Sequence, residues 1–155
     1  MLTTSMRTLQ SLELFSACKR SALKRIDQLG FTLDVVPGQV LCAEGAPGAE
    51  FFVLVDGLCD VRAPNGMLAL LHPGAWFGET ALLEDTTRKA TVTARTNGAV
   101  LVYDKRAFTS LLMIAPNVSA RLQRTSARVI EGKAPTAQPW YQRLPRAATS
   151  IRIAS

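Results

Sequence analysis

Turn signals divide the middle of this chain into short apolar runs, and this pattern constrains the fold more than any other feature of the sequence. Between Phe31 and Glu79 the turns recur about every 8 to 10 residues, and β-rich runs lie between them. The turns are Pro37-Gly38, Gly45, Pro47-Gly48, Asp56-Gly57, Asn65-Gly66 and Pro73-Gly74. The pattern is typical of an antiparallel sandwich or barrel, and Asn65-Gly66 predicts a hairpin with a two-residue turn.

Helical patterns flank this β-rich region on both sides. In residues 19–29 apolar side chains recur at helical spacing opposite Lys and Arg, and Gly30 follows as a stop signal. Two further strands are predicted within residues 90–103, a helix over 105–115, and another helix from Pro116 onwards. The chain is therefore predicted to be mainly β with flanking helices.

The positive charge is concentrated at the C-terminal end of the chain. There are 18 Lys and Arg against 12 Asp and Glu, a net charge of +6. Four basic residues and no acidic one follow Glu131, which leaves only +2 on the preceding part. These four are Lys133, Arg143, Arg146 and Arg152. We predict one domain over residues 7–131 and a flexible, basic, proline-containing tail over residues 132–155, and we do not expect nucleic acid to be the partner.

The remaining composition points to a cytoplasmic protein with reduced thiols. No apolar run approaches the length that crosses a membrane, and the N-terminus lacks the pattern of a secretory signal. Cys18, Cys42 and Cys59 are odd in number and have no C-x-x-C spacing, which argues against a disulfide framework or a zinc site.

The stretch WFGETALLEDTTRKATVTA, residues 76–94, carries the clearest functional signal. It places Glu79 before an apolar step and Arg88 after an acidic, hydroxylic loop, and burying either charge without a partner is unfavourable. A short helix beginning near Gly78 would direct backbone N–H groups at an anion, and Arg88 offers a planar fork to phosphate oxygens. The stretch predicts a site for a polar, anionic ligand.

This motif and this order of elements resemble the cyclic nucleotide-binding domain of catabolite-activator-type regulators and of cyclic-nucleotide-dependent kinases and channels. The family's phosphate-binding cassette reads approximately F-G-E-x-A-L, a variable loop, then R-x-A-x-V. Here it is Phe77 to Leu82, the loop, then Arg88 to Val92. The resemblance covers about residues 9–131 and implies a double-stranded β-helix, or jelly roll, with an N-terminal helix, the cassette and C-terminal helices.

The resemblance also implies a role for each cassette residue. Arg88 would bind the exocyclic phosphate oxygens, Glu79 would accept from the ribose 2′-hydroxyl, and Gly78 would allow close approach of the backbone. The backbone contacts would come from Thr80, Ala81, Lys89 and Ala90.

Ligand preference and the cover of the base follow from two departures from the family pattern. Lys89 stands where a Thr in cGMP-selective members reaches the guanine amino group, so we expect cAMP in preference to cGMP. The helix after Pro116 has no aromatic residue to cover the base, so this part would fall to Leu122, Val129 or Trp140.

The sequence predicts no catalytic residue, no metal and no cofactor other than the nucleotide ligand. His72 is the single histidine, so the sequence predicts neither a multi-histidine metal centre nor a nucleophile with a histidine base. Walker-type phosphate loops are absent from the sequence.

The favoured hypothesis is a non-catalytic cyclic nucleotide sensor that signals by movement of its C-terminal helices. Its effector is expected to be a separate protein, because the residues after Glu131 are too few for a helix-turn-helix domain. The alternative is an assembly subunit of a larger complex with a vestigial pocket, and nucleic-acid binding by the basic tail is a third, weaker hypothesis. A homodimer through the last helix stays open, since Thr125 interrupts its apolar stripe.

Overall fold

Two four-stranded antiparallel sheets form the body of the protein. The computed structural model describes residues 4–66 and 68–122. The strands are β1 (Phe31–Val35), β2 (Val40–Cys42), β3 (Glu50–Asp56), β4 (Cys59–Arg62), β5 (Leu68–Leu71), β6 (Trp76–Phe77), β7 (Thr91–Ala94) and β8 (Gly98–Asp104). One sheet has the order β1-β8-β3-β6 and the other β2-β7-β4-β5. We refer to these sheets together, residues 30–104, as the β-roll.

Helices precede, interrupt and follow the strands. They are α1 (Thr4–Ser11), a short 3-10 helix (Glu13–Phe15), α2 (Arg20–Leu29), α3 (Glu79–Leu83) and α4 (Lys105–Ile114), and residues 116–122 are also helical. Within the described part of the chain, no helix is long and apolar enough to cross a membrane. The predicted mainly β fold with flanking helices is confirmed, and the helix predicted over residues 19–29 is α2.

Strand β3 of the first sheet is buried on both of its faces, which explains its unbroken apolar run. Along β3, Phe51 and Val53 face the helices, whereas Phe52 and Leu54 face the interior of the β-roll. Successive side chains of a strand point to opposite faces, so a strand covered on both sides reads as a continuous apolar run. This sheet therefore separates two cores, one inside the β-roll and one beneath the helices.

The second sheet has one buried and one polar face. Val92 and Ala94 of β7 are buried in the β-roll, while Thr91 and Thr93, which alternate with them, are partly exposed, as the predicted alternation requires. Strands β4 and β5 form the predicted hairpin, but the predicted two-residue turn is wrong. The ladder closes at the pair Arg62 and Leu68, five residues lie between them, and the Gly66 N–H donates to the Ala63 carbonyl at 2.9 Å.

The helices cover the outer face of the first sheet and enclose a second core. We call α1, α2, α4, the 3-10 helix and residues 116–122 the helical layer. Its fully buried side chains include Leu9, Phe15, Leu23, Ile26, Leu111 and Leu122. Asp104 caps α4, since its Oδ1 accepts from the Ala107 N–H at 2.7 Å.

One sequence prediction is contradicted by this architecture, and others lie outside the described residues. Leu122, named above as a cover for the base, is fully buried in the core of the helical layer, so it does not cover a ligand in this structure. The described residues do not include Thr125, Val129, Trp140 or the predicted tail over 132–155.

Candidate ligand-binding site

A small open pocket lies where the second sheet meets α3 and the segment that precedes β7. Its lining consists of Cys42, Gly78, Thr80, Ala81, Arg88, Lys89, Ala90 and Val92. Six of the seven residues that the sequence predicts for the site are in this set, and the seventh, Glu79, lies beside it at the start of α3. The cassette residues are therefore brought together around one cavity, although two sequence segments contribute them.

Gly78 makes the turn from β6 into α3, and only a glycine fits there. Its φ is 95°, in the left-handed region, and it precedes α3 without a capping side chain. A Cβ at this position would lie 2.7 Å from the Glu50 carbonyl oxygen and 2.8 Å from Nη1 of Arg88. The absence of a side chain thus lets the backbone, Arg88 and β3 approach one another closely.

Arg88 is buried and held by groups of three residues of the protein. Its side chain is 5% exposed, and Nη1 and Nη2 donate to the main-chain carbonyls of Gly78 and Glu50 at 3.2 and 2.8 Å. Nη2 also lies 3.5 Å from Oε2 of the Glu50 carboxylate. The guanidinium carbon lies 5.8 Å from the centre of the Phe52 ring, within the range of a cation–π contact. Arg88 is consequently a positioned cation at the wall of the pocket.

The main chain around Arg88 is fixed by the loop between β2 and β3. The Arg88 N–H donates to the Ala46 carbonyl at 2.8 Å, and the Arg88 carbonyl accepts from the Gly45 N–H at 3.0 Å. Pro47 and Thr87 form an isolated β-bridge next to these bonds. The loop therefore holds the cassette segment like a short additional strand pair.

Glu79, the first residue of α3, is fully buried and does not line the pocket. Because no part of Glu79 is exposed, a ligand hydroxyl in the pocket could reach this carboxylate only if α3 moved. The sequence predicts Glu79 as a ligand-binding residue, and the structure places it beside the pocket lining, with its side chain buried.

Two residues of the site have no signal in the cassette motif. Glu50, at the start of β3, is 43% exposed and makes the ion pair with Arg88. Cys42, at the end of β2, lines the pocket, and burial raises the pKa of its thiol to about 12 although Arg88 acts in the opposite direction. A protonated thiol at this position behaves as a small apolar wall, not as a nucleophile.

Lys89 lies at the polar rim of the site and acts on the carboxyl of Glu84, which follows α3. Lys89 is exposed and lines the pocket directly beside Arg88. Burial raises the pKa of Glu84, and the Lys89 ammonium opposes this rise. Two cations therefore stand next to each other at the pocket, where an anionic group would be favoured.

The pocket is coupled to the helical layer through α3. Leu82 and Leu83, on α3, pack against the core of the helical layer, while Thr80 and Ala81 of the same helix line the pocket. A displacement of this short helix would change contacts both in the pocket and in the core of the helical layer.

Comparison with protein families finds one matching family. The model described as "Cyclic nucleotide-binding domain" matches residues 32–114, from β1 to the end of α4. The match includes all the residues that line the pocket.

Individual relatives agree with this match. A cAMP-dependent protein kinase regulatory subunit of Yarrowia lipolytica is 40% identical over 80 residues, which is 50% of this chain and 21% of that protein. Acetyltransferase Pat of Mycolicibacterium smegmatis is 36% identical over 120 residues, 75% of this chain and 36% of that protein. The chain thus spans about a fifth to a third of the length of these relatives.

A solved structure supports the fold assignment. The structure of PKAR CBD2 bound to Sp-2Cl-cAMPS superposes with a TM-score of 0.69 at 22% identity, covering 84% of this chain and 92% of the other. At this identity the likeness supports the arrangement of sheets and helices, not the ligand.

Proposed function

We propose that this chain, which belongs to the cyclic nucleotide-binding domain family, binds a cyclic nucleotide monophosphate in the pocket beside Arg88 and prefers cAMP to cGMP. The observation that carries the proposal is the buried, positioned guanidinium of Arg88 at the wall of a pocket formed by the cassette. A phosphodiester is the anionic group of such a ligand, and a planar guanidinium can bind two of its oxygens at once.

The donors of Arg88 are sufficient for this role. A guanidinium has five N–H groups, and main-chain carbonyls accept from Nη1 and Nη2 at hydrogen-bonding distance. The remaining N–H groups can bind the phosphate while these two contacts keep the side chain oriented. Lys89 adds a second positive charge beside the same position.

The proposed ribose contact requires a movement of the cassette. Glu79 would accept from the 2′-hydroxyl, but its carboxylate is fully buried in the described structure. We infer that ligand binding displaces α3, and that Leu82 and Leu83 transmit this displacement to the helical layer. The ligand would then shift the population between two packings of the helices.

The preference for cAMP rests on the chemistry beside Arg88. Lys89 has no short hydroxyl with which to bind a guanine amino group, and apart from Gly78, Thr80 and Arg88 the lining is small and apolar, from Cys42, Ala81, Ala90 and Val92. Such a lining offers few hydrogen-bond partners to the additional polar groups of guanine, so burying them there would be unfavourable.

As a sensor, the chain itself would perform no catalysis and would act on a separate effector protein. The single histidine, His72, is exposed in the turn before β6 and does not line the pocket. Acetyltransferase Pat is an enzyme by name, yet this chain matches only 36% of its length, so the likeness does not carry its activity to this chain.

One observation favours a second function, that of an assembly subunit with a vestigial pocket. Glu50 already lies against Arg88, so the protein's own carboxylate stands near the position that a phosphate would take. If this ion pair excluded the ligand, the fold would serve to dock on a larger complex instead.

Isothermal titration of the full chain with cAMP, cGMP and linear 5′-AMP separates the two functions. The sensor function predicts a dissociation constant for cAMP of roughly micromolar or tighter, weaker binding of cGMP, and no binding of 5′-AMP. Arg88→Ala should weaken cAMP binding roughly 100-fold, because charge-assisted hydrogen bonds are lost. Glu79→Gln should weaken it less, because it removes charge from one acceptor.

Controls distinguish loss of binding from loss of folding. Arg62, which is exposed on β4 and outside the pocket, provides the matched variant Arg62→Ala, with unchanged affinity expected. Thermal unfolding of every variant is measured without ligand. If Arg88→Ala does not fold, Arg88→Lys, which retains the charge, is used instead. If the folded wild-type chain bound no nucleotide, the sensor function would be rejected and the assembly-subunit function would remain.

A further inference from the structure

Charge is divided between the two layers of the molecule. The helical layer, residues 4–29 and 105–122, has eight basic and two acidic side chains, whereas the described part of the β-roll has four basic and nine acidic ones. The sum is close to neutral, so neither net charge nor composition reveals the separation. The helical layer forms a positive face on a negative body.

The densest part of this positive face is α2. Its exposed side carries Lys19, Arg20, Lys24 and Arg25. Leu23 and Ile26 are fully buried on the opposite side. The only acid of the helix, Asp27, is partly buried and acts on Tyr103 beneath it, where burial and then this carboxylate raise the pKa of the phenol. The solvent side of α2 therefore presents cations without an acid among them.

Most of these cations have no carboxylate partner within the described ranges 4–66 and 68–122. There, Lys19, Lys24 and Arg25 form no ion pair, whereas Lys105 and Arg121 of the same layer lie 3.8 Å from Asp85 and Glu13. The charges of Lys19, Lys24 and Arg25 are thus available to another molecule.

Local electrostatics oppose this arrangement, which argues that it is retained for another reason. Lys19 and Arg20 stand at the N-terminus of α2, where the helix dipole favours acids, and the first turn contains none. Arg20 and Lys24 are like charges one turn apart, which destabilises a helix. Positions at which a sequence acts against its own helix are expected at functional surfaces.

We propose that the exposed side of α2 docks an acidic protein surface. Carboxylates of a partner would meet Lys19, Lys24 and Arg25, and the surrounding positive face would attract such a surface from a distance. The identification of this partner with the effector of the sensor rests on the proposed function, while the docking surface does not.

Two other anionic partners fit the face less well. A bilayer-bound helix needs an exposed apolar side to insert, but the apolar side of α2 is buried in the core. A nucleic acid is an extended polyanion, which would also bring phosphates towards the acidic β-roll. A compact acidic protein surface can contact α2 alone.

The test is an amide NMR titration of the ¹⁵N-labelled full chain with a synthetic helical peptide that carries Glu at positions one turn apart. Its twin with Gln at the same positions is the control probe. We expect chemical-shift changes concentrated on Ser21 to Gln28 with the Glu peptide, and none with the Gln peptide. The double variant Lys24→Gln with Arg25→Gln should weaken binding by about fivefold or more at low salt.

The matched control is Arg62→Glu, which lowers the net charge by two, as the double variant does, but on the β-roll. Binding by this control should stay within about twofold of the wild type. Equal weakening in both variants, or shifts confined to residues 123–155, would overturn the proposal. So would stronger binding of phosphatidylserine vesicles or of a DNA duplex at the same salt. Cyclic nucleotide titration of the same samples reports separately on the proposed function, and the double variant should bind the nucleotide as the wild type does.

Discussion

The guanidinium of Arg88 lies 3.5 Å from the Glu50 carboxylate, and the same guanidinium also donates to the Glu50 main-chain carbonyl at 2.8 Å. One residue of β3 therefore holds the proposed phosphate-binding side chain in two ways. The carbonyl contact orients Arg88 and is compatible with a bound anion. The carboxylate contact places a second negative charge beside the position of the phosphate, and the two would repel each other.

Replacement of Glu50 by Gln is expected to strengthen cyclic nucleotide binding. The substitution removes the competing charge, while the carbonyl contacts from Gly78 and Glu50 and the ring of Phe52 still position Arg88. Because Glu50 is 43% exposed and water screens the pair, the gain should be modest, roughly threefold to fivefold in affinity. Isothermal titration with cAMP at low and high salt measures it, and the gain should diminish at high salt.

Glu44 provides the matched control for this prediction. It is an exposed glutamate in the loop between β2 and β3, and Glu44→Gln makes the same change of charge without touching Arg88. Its affinity should equal that of the wild type. Weaker binding by Glu50→Gln would mean that the carboxylate positions Arg88 and does not compete with the ligand.

Gly78→Ala is expected to damage both stability and binding. The new Cβ would meet the Glu50 carbonyl and Nη1 of Arg88 at under 3 Å, in a backbone conformation that alanine rarely adopts. Gly38→Ala separates the cost of the close contact from the cost of the positive φ. Gly38 has a similar φ of 89° but no atom within 4 Å of its Cβ position. We expect a loss of about 1 kcal/mol for Gly38→Ala and at least ~2 kcal/mol more for Gly78→Ala. Urea unfolding measures both losses, and similar losses in the two variants would show that the close approach is unimportant.

Local patterns were sufficient to predict most of the elements and the motif. The turn glycines marked the β-roll, the alternation in β7 gave its buried face, and Leu23 and Ile26 identified the inner side of α2. Helix α1 escaped prediction, although Met6 and Leu9, both buried, show the same helical spacing. A pattern of two apolar residues is too short to outweigh the polar residues around it.

Long-range contacts explain what the sequence did not reveal about the site. Glu50 and Cys42 reach Arg88 from strands that lie far away in sequence, and no spacing rule connects them with the cassette. The burial of Glu79 depends on how α3 packs against the sheet, which the motif does not encode. Likewise, the charge separation between helices and β-roll becomes visible only when the layers are known.

The stability of the protein is expected to fall at alkaline pH because of Cys42. Burial raises the pKa of its thiol from 9.0 to about 12 in the folded state. Between these values the unfolded chain loses the proton and the folded protein keeps it, so this contribution to stability is complete below pH 9 and is lost as the pH rises. The slope for one such group approaches ~1.4 kcal/mol per pH unit.

Urea unfolding between pH 8 and pH 10.5 tests this prediction, with Cys42→Ala as the variant. The variant should lose less stability over this range than the wild type. Cys59 serves for comparison, because burial raises the pKa of its thiol to about 11 and Cys59→Ala should also reduce the slope. Parallel curves for wild type and Cys42→Ala would show that this thiol ionises normally in the folded protein.

Tyr103→Phe is expected to leave the protein as stable as the wild type or more so. The Tyr103 hydroxyl is buried without a hydrogen-bond partner in the described part of the chain, whereas its ring packs against Phe15 and Phe51 with centroids 6.4 and 6.1 Å away. Phenylalanine retains the ring contacts and removes a polar group that is unfavourable in the core, with a gain of up to ~1 kcal/mol.

Thr96→Val is the contrasting deletion of a hydroxyl for this prediction. The Thr96 hydroxyl accepts from the Leu58 N–H at 3.0 Å and donates to the Asn97 carbonyl at 2.8 Å, so its removal should lower stability by about 1 kcal/mol. Thermal and urea unfolding of both variants, measured side by side, decide the matter. A loss in Tyr103→Phe as large as that in Thr96→Val would mean that the phenol has a partner, such as an ordered water between α2 and β8.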